Sequence, residues 1–159
     1  MTTAARTTTI AFAREPLADC REDLRPLLED HWREIAHYQD IPLRPDWEAY
    51  TRIERDGGLR IFTLRDYGVL RGYAVFFVRW NLHYMTSLQA AQDVLYLDPI
   101  LRGQALGAQF IAWCDEELRK EHVQVVYHHV KLSHDWGALL ARLGYERVET
   151  IWSRRLDQG

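Results

Sequence analysis

The chain of 159 residues is 47% hydrophobic and 27% charged, and 20 lysine and arginine residues against 23 aspartate and glutamate residues give a formal net charge of −3. Its length suits one globular domain, and its composition excludes a disordered chain, a fibrous repeat and a disulfide-stapled miniprotein. A mildly acidic chain of this kind carries no basic footprint for nucleic acid or for an anionic membrane.

The sequence predicts a cytoplasmic protein with no membrane partner. Its first residues, MTTAARTTT, contain no apolar core of a signal peptide, and its strongest apolar run, 73–78, is far short of the roughly 20 residues that cross a bilayer. Cys20 and Cys114 lie far apart and form no CxxC or metal-ligand spacing, so we expect two reduced thiols. We expect a flexible N-terminus over residues 1–7 and one domain over residues 8–159.

The first half of the chain opens with one strand and continues with helices. Residues 8–14 alternate between apolar and polar side chains, which predicts a strand. Apolar residues then recur at spacings of three and four over residues 17–38, and Pro26 is expected to divide this stretch into a short and a longer helix. Asp46 is predicted to cap a further helix that continues through Ile53.

The second half of the chain is richer in strands. Alternation and turn signals predict strands over residues 59–64, 69–80, 93–97, 123–130 and 148–156, with helices over residues 101–120 and 136–143. The resulting order, β-α-α-β-β-β-α-β-α-β, predicts a mixed α/β (α+β) fold in which helices cover both faces of a central sheet.

Residues 95–108 carry the strongest chemical signal. There an apolar strand passes through Asp98-Pro99 into a run of small residues that opens a helix. The first N–H groups of a helix lack partners within it, and the helix dipole adds partial positive charge, so this turn suits an anion such as a phosphate. Arg102 would add a further positive charge. The alternative is an ordinary strand–turn–helix connection, whereas a Walker loop and a dinucleotide fingerprint are excluded by their missing motifs.

The same segment resembles the coenzyme A motif of the GNAT (GCN5-related) N-acetyltransferases, Q/R-x-x-G-x-G/A. Arg102 and Gly107 fit this motif, whereas Ala105 stands where the first glycine is usual. Leu143-Gly144-Tyr145 follows the next strand and helix, as in the family, and the order of elements agrees over nearly the whole chain. Residues 31–36 (HWREIA) are further similar to a prophage-associated bacterial subgroup.

This resemblance implies a GNAT-like fold with a mixed, mostly antiparallel sheet of about six strands, and acetyl-CoA as co-substrate without a metal. Acetyl-CoA would lie in a V-shaped opening between the strands at residues 93–97 and 123–130. Strand backbone groups would pair with its pantetheine arm, and N–H groups of the following loop would hold its pyrophosphate. The implied contacts are Leu95, Tyr96, Leu97, Arg102, Gly103, Gln104, Ala105, Leu106, Gly107, Ala108 and Ser133, the last in place of a more usual asparagine.

Asp93 is our predicted general base. An alkyl amine is mostly protonated at pH 7, so a base assists its attack on a thioester. A carboxylate inside an apolar strand needs a role or a partner, and strand alternation is expected to place Asp93 on the face shared with Leu95 and Leu97. The structural alternative is an aspartate that caps the entrance of the strand.

Two further pairs of side chains are candidates for the acceptor site. His83 and Tyr84 follow a long strand, and a histidine titrates near neutral pH, so we predict a catalytic role for His83 and substrate binding for Tyr84. His31 and Glu34 stand three residues apart on one helix, where both are expected to face the same cleft and bind substrate. An ordinary loop and a solvated helix face are the alternatives.

The acid that would protonate the leaving thiolate is harder to assign. The family often uses a tyrosine in the last helix, and Leu140 occupies that position here. Tyr145, our predicted acid, Tyr127 or His134 would have to substitute, or the thiolate leaves unprotonated. A metal site is disfavoured because the adjacent His128 and His129 point to opposite faces of a strand.

We therefore predict an acyl-CoA-dependent N-acetyltransferase that acts on a primary amine of a small molecule or a protein, by direct attack in a ternary complex. The first alternative is a non-catalytic acyl-CoA sensor or interaction module on the same fold. The second is an unrelated α/β hydrolase or phosphate-binding enzyme, which the missing GxSxG motif disfavours. No pattern selects the acceptor, and the oligomeric state is open, with a homodimer among the options.

Overall fold

A computed structural model describes residues 9–158, so the expected flexible segment at residues 1–7 lies outside the described part. Its strands are β1 (Ile10–Arg14), β2 (Leu59–Asp66), β3 (Val69–Trp80), β4 (Leu88–Leu97) and β5 (Val125–Tyr127). They form one sheet in the order β1-β2-β3-β4-β5. The first four strands pair antiparallel, and β5 pairs parallel with β4. The mostly antiparallel, mixed sheet is confirmed, with five strands in place of about six.

Helices cover both faces of this sheet, as predicted. They are α1 (Leu17–Ile35), α2 (Trp47–Arg55), α3 (Leu106–Lys120) and α4 (Gly137–Arg142). One buried cluster joins α1 to residues such as Tyr73 and Val75. The second joins Phe110 and Cys114 of α3 to the opposite face of the sheet, around Phe76. No helix within residues 9–158 has the length and hydropathy to cross a membrane.

Helix α1 is continuous, which corrects the expected break at Pro26. Proline removes one backbone hydrogen bond and costs a helix about 3 kcal/mol. Leu24 before it and Leu27 and Leu28 after it pack against the same cluster, so the buried face of α1 continues across the proline. Burial of each such side chain stabilises the fold by about 1.5–3 kcal/mol, which offsets the lost bond. The predicted cap of α2 is confirmed, since Asp46 Oδ1 accepts a hydrogen bond from the Ala49 N–H at 2.9 Å.

The strand predicted over residues 148–156 is absent. These residues pair with no neighbouring strand in the described part of the chain, and Trp152 is 92% exposed. Two side-chain contacts hold the segment: the Tyr38 and Ser153 hydroxyls lie 2.7 Å apart, and Arg155 pairs with Asp40 at 2.8 Å. The pattern of side chains predicted a strand, but a strand also needs a neighbour with which to form hydrogen bonds, and residues 148–156 have none within residues 9–158.

A β-bulge in β4 changes which face Asp93 occupies. Val75 of β3 lies opposite Val94, and the next residue, Phe76, lies opposite Gln92, so Asp93 has no partner across the ladder. One extra residue in a strand shifts the alternation of its side chains. After the bulge, Val94 packs on the α1 side of the sheet and Leu95 on the α3 side. The alternation that leads back from Leu95 therefore no longer gives the face of Asp93.

Candidate functional site

Strands β4 and β5 separate after a short region of pairing. Their ladder covers only Gln89–Ala91 and Val125–Tyr127. At its end the Gln92 and His128 side chains meet, with Nδ1 of His128 2.7 Å from Oε1 of Gln92. Beyond this contact, residues 93–97 of β4 pair with no strand on the β5 side within the described part of the chain, although the Leu97 carbonyl accepts a hydrogen bond from the Arg102 side chain. The β4–β5 ladder thus ends before residues 93–97, the segment of β4 along which the resemblance places acetyl-CoA.

The loop after β4 brings helix α3 to this opening. Asp98 fixes its start, because its Oδ1 accepts from the Ile100 N–H at 3.0 Å and its Oδ2 pairs with Arg71 at 3.0 Å. A short 3-10 turn covers Pro99–Leu101, and Gly103 follows with a left-handed φ of 79°. Ala105, the residue before α3, has no side-chain acceptor for the first N–H groups of the helix. Those N–H groups are therefore available to an anion.

The Arg102 side chain does not point freely towards an anion. Its Nη1 and Nη2 donate to the two carboxylate oxygens of Glu34 at 2.7 and 2.9 Å, and its Nε donates to the Leu97 carbonyl at 2.7 Å. His134 Nε2 lies 2.7 Å from the same Glu34 carboxylate. Arg102 holds the pKa of the Glu34 carboxyl below its usual range. The positive charge that the sequence offered to a phosphate is thus largely neutralised by the Glu34 carboxylate.

An open depression with a volume of about 410 Å³ lies beside this ion pair. It is lined by Asp30, Arg33, Glu34, Tyr96, Asp98 and Pro99. Its position between α1 and the loop after β4 places it on the α1 side of the opening. Glu34, predicted to bind substrate, lines it, but its carboxylate already contacts both Arg102 and His134.

Asp93 faces helix α2 and not the side of Leu95 and Leu97, which corrects the predicted face. The bulge in β4 turns it there, and the Tyr50 hydroxyl donates a short hydrogen bond to its Oδ2. Burial and this contact with Asp93 raise the pKa of Tyr50. The Tyr50 ring stacks on Phe77 at 6.1 Å, so the carboxylate lies at the edge of an aromatic wall. Within residues 9–158 the second oxygen of Asp93 accepts no hydrogen bond.

His31 does not share a cleft with Glu34. It is only 7% exposed, its Nδ1 lies 2.9 Å from the Tyr73 hydroxyl, and its ring packs on Tyr96 at 5.2 Å. Burial lowers the pKa of His31 to about 4, so the ring stays neutral. The sequence also indicates that His31 is buried, because it lies seven residues after the buried Leu24, on the apolar face of the helix.

The structure does not bring the remaining candidates together with Asp93. His83 and Tyr84 lie in the turn before β4, where their N–H groups donate to Asn81. Strand β4 then runs for about 30 Å to the loop that precedes α3, and Asp93 lies in its second half. The Tyr145 hydroxyl donates to Asp115 of α3 at 2.6 Å. Ser133 lies in a 3-10 turn over Leu132–His134.

Sequence reasoning missed three residues of this region. Tyr50 is the partner of Asp93, and Gln92 and His128 close the narrow end of the opening. Burial lowers the pKa of His128 to about 4, and its Nε2 is buried without a partner in the described part of the chain. Of these three residues, only Tyr50 is indicated by the sequence, because it lies three residues after Trp47 and so on the same face of a helix. Among residues 9–158 no cluster of three histidine, cysteine, aspartate or glutamate side chains is suited to a metal.

Comparison with known proteins places this geometry in a family. A model described as Acetyltransferase (GNAT) family matches residues 19–145, most of the chain. A search of curated proteins gives no match.

Solved structures show the same fold at low sequence identity. An aminoglycoside acetyltransferase from an uncultured soil metagenomic sample, in complex with sisomicin, is 15% identical, with a TM-score of 0.72 over 93% of this chain and 97% of that one. A ribosomal-protein-alanine N-acetyltransferase from Brucella melitensis biovar Abortus 2308 is 15% identical, with a TM-score of 0.70 over 93% and 99%. A predicted acetyltransferase from Clostridium acetobutylicum with acetyl-CoA is 10% identical, with a TM-score of 0.67 over 93% and 97%. The family match and the shared fold identify the chain as an N-acetyltransferase of the GNAT family.

Proposed function

We propose that this protein transfers acetyl from acetyl-CoA to a primary amine by direct attack in a ternary complex. The observation that carries the proposal is the opening between β4 and β5, which joins unpaired strand backbone to the free N–H groups at the start of α3. A long, narrow ligand with an anionic group at one end fits such a channel. A fold neighbour from Clostridium acetobutylicum holds acetyl-CoA, which supports the same ligand here.

The residues present fit coenzyme A in two places. Backbone groups of Leu95 and the N–H of Leu97, whose carbonyl accepts from Arg102, would pair with the pantetheine arm, and N–H groups over residues 103–108 would hold the pyrophosphate. Bound acetyl-CoA supplies an activated thioester carbonyl. Gly107 leaves space at this position, since a methyl group there would meet protein atoms only at 3.7 Å or more.

Asp93 would accept the proton of the amine in this proposal. An alkylammonium group with a pKa of about 10.4 is neutral in roughly one molecule per few thousand at pH 7. Tyr50 holds one oxygen of the Asp93 carboxylate, which leaves the other oxygen to accept a hydrogen bond from the amine. The aromatic wall of Tyr50 and Phe77 would flank the amine, and aromatic rings attract cations.

Direct attack is favoured over an acyl-cysteine intermediate. Cys114 is fully buried in the middle of α3, and burial raises the pKa of its thiol, so the reactive thiolate is disfavoured. Cys20 of α1 is also buried, and burial raises the pKa of its thiol to about 12. Tyr145 is left out of the mechanism because its hydroxyl already donates to Asp115.

Acetyl-CoA is expected to stabilise the protein against heat. A ligand that binds only the folded state at 100 times its Kd adds about 2.7 kcal/mol, which raises the Tm of a chain of this size by about 5–10 °C. The measurement is a thermal melt with increasing acetyl-CoA, with adenosine diphosphate at equal concentration as the control for the anion alone. An unchanged Tm at millimolar acetyl-CoA contradicts the proposal.

Release of free thiol in the presence of a panel of amines then separates catalysis from binding. The competing function is an acyl-CoA sensor, and it is favoured by one observation: the buried, apolar Leu140 occupies the position of the family's usual tyrosine. A sensor would give the rise in Tm without release of thiol for any amine. An enzyme would give both the rise in Tm and the release of thiol.

Two glycines of the loop are expected to respond differently to alanine. Gly103→Ala should lower the stability of the unliganded protein by about 1 kcal/mol, because a side chain is strained at the left-handed φ of 79°. Gly107→Ala should leave that stability unchanged, since its methyl group meets only ordinary contacts, but weaken coenzyme A binding about tenfold, or about 1.4 kcal/mol. Urea denaturation and calorimetric titration measure the two effects. Unimpaired binding by Gly107→Ala would place the pyrophosphate elsewhere.

A further inference from the structure

The loops that follow β4 and β5 are tied together by one carboxylate. Because β4 and β5 run parallel, these two loops lie at the same edge of the sheet. Arg102 lies in the loop after β4, and His134 lies in the 3-10 turn after β5. Both contact Glu34 near the end of α1, Arg102 through Nη1 and Nη2 at 2.7 and 2.9 Å and His134 through Nε2 at 2.7 Å. The Glu34 carboxylate therefore joins three elements at the end of the two strands that lies away from their ladder.

This bridge occupies groups that lie beside the proposed site of the pyrophosphate. Arg102 directly precedes residues 103–108, whose N–H groups would hold that anion, and its Nε donates to the Leu97 carbonyl at 2.7 Å. The forked, two-point contact that a guanidinium makes with a carboxylate is also the contact that it makes with a phosphate. Glu34 thus occupies the donors of Arg102 that would suit a phosphate group.

The charge of Glu34 opposes an anion at this place. Arg102 holds the pKa of the Glu34 carboxyl below its usual range, so the group is ionised. Two negative charges a few ångströms apart repel each other, and the repulsion is strong where water is partly excluded. Glu34 also lines the open depression on the α1 side, where its carboxylate would be hydrated once it is released. The His134 side chain is 47% exposed, so it can turn without disturbing the core.

We propose that Glu34 is an internal competitor for the phosphates of coenzyme A. In the free protein Arg102 and His134 hold its carboxylate, and they exchange it for a phosphate group of the bound coenzyme. The apparent affinity is then reduced by the fraction of molecules in which the two side chains are free to accept the phosphate, so Glu34 sets the affinity for the anionic end of the donor. This inference rests on the proposed binding of acetyl-CoA.

Calorimetric titration with coenzyme A and with adenosine diphosphate tests the competition. Glu34→Gln should bind both ligands about three- to tenfold more tightly than the wild type, because the free form no longer holds Arg102 in an ion pair. The midpoint of urea denaturation of the same variant without ligand should not rise, since an ion pair has been removed. A gain in affinity without a gain in stability distinguishes competition from a structural role, because a merely loosened site binds more weakly.

Asp30→Asn is the matched control. Asp30 lies one helical turn before Glu34 and lines the same depression, but it pairs with Arg33 at 3.0 Å and not with Arg102. Its variant removes an equal charge and should change both affinities less than about twofold, as expected for an exposed pair. An equal gain from Asp30→Asn would reduce the effect to general electrostatics and overturn the inference.

Arg102→Gln provides a second, independent test. In the wild type Arg102 exchanges one anion for another, whereas in Glu34→Gln it gains a partner, so its loss should weaken adenosine diphosphate binding at least about threefold more in the second background. Equal losses in the two backgrounds, or unchanged or weaker binding by Glu34→Gln, would overturn the inference alone. Failure of the wild type and of Glu34→Gln alike to bind coenzyme A would overturn the proposed function, and the inference with it.

Discussion

Asp93→Asn is expected to lower kcat by at least about 100-fold while acetyl-CoA still raises the Tm as in the wild type. General base catalysis contributes about 10²- to 10⁴-fold, and asparagine cannot accept the proton. Asparagine keeps an oxygen for the Tyr50 hydroxyl, so the local fold should persist. Steady-state assays of thiol release with the best amine of the panel, beside thermal melts with acetyl-CoA, measure the two effects separately.

Asp30→Asn is the matched control for this variant. Asp30 is an exposed carboxylate that lines the depression on the α1 side, away from the bulge of β4. Its variant should retain turnover within a few-fold. Full activity of Asp93→Asn would remove Asp93 from the mechanism, and a parallel loss of acetyl-CoA binding would assign it to the binding of that ligand.

The second large effect is a loss of stability on mild acidification. Burial lowers the pKa of both His31 and His128 to about 4, from about 6.5 in an unfolded chain. Between pH 6.5 and pH 4 the unfolded chain therefore binds protons that the folded chain does not, and the free energy of unfolding falls as the pH falls. Each histidine contributes about 3 kcal/mol over this window, a large share of the usual total of about 5–15 kcal/mol.

Urea denaturation at pH 7, 6 and 5 measures this dependence. Stability should be nearly constant above pH 7 and decrease with increasing slope below pH 6.5. His31→Phe and His128→Phe should each remove about half of the pH-dependent loss, at some cost in stability at pH 7 because each ring makes a buried hydrogen bond. His83→Gln, at an exposed turn, controls for the removal of a histidine. A flat profile in the wild type would contradict the prediction.

Local signals in the sequence predicted much of the fold. The Asp46 cap, the hairpin signal before residues 69–80 and the glycine that ends α4 all depend on residues close in the chain, and each element is present. The family match over residues 19–145 agrees with the resemblance found in the loop after β4. The resemblance to a prophage-associated subgroup stays a prediction.

The features that sequence reasoning missed depend on contacts between distant residues. Whether residues 148–156 form a strand depends on a neighbour, and whether α1 continues through Pro26 depends on what its face packs against. The ion pair of Arg102 with Glu34 joins residues 68 positions apart, so no local pattern reveals it. The charge of Arg102 suggested that it binds a phosphate, whereas in the folded protein its side chain pairs with the Glu34 carboxylate.

The bulge in β4 places Asp93 and Leu95 on opposite faces of the sheet. Without the extra residue, strict alternation would send the Asp93 carboxylate into the apolar layer on the α3 side, together with Leu95 and Leu97. With it, our proposed proton acceptor, Asp93, lies on the α2 side of the sheet, opposite Leu95 and Leu97, although these residues are neighbours in sequence. Substitutions around Asp93 on the α2 side, at Tyr50 or Phe77, can therefore be made without changing residues 95–97, provided that the length of the strand is kept.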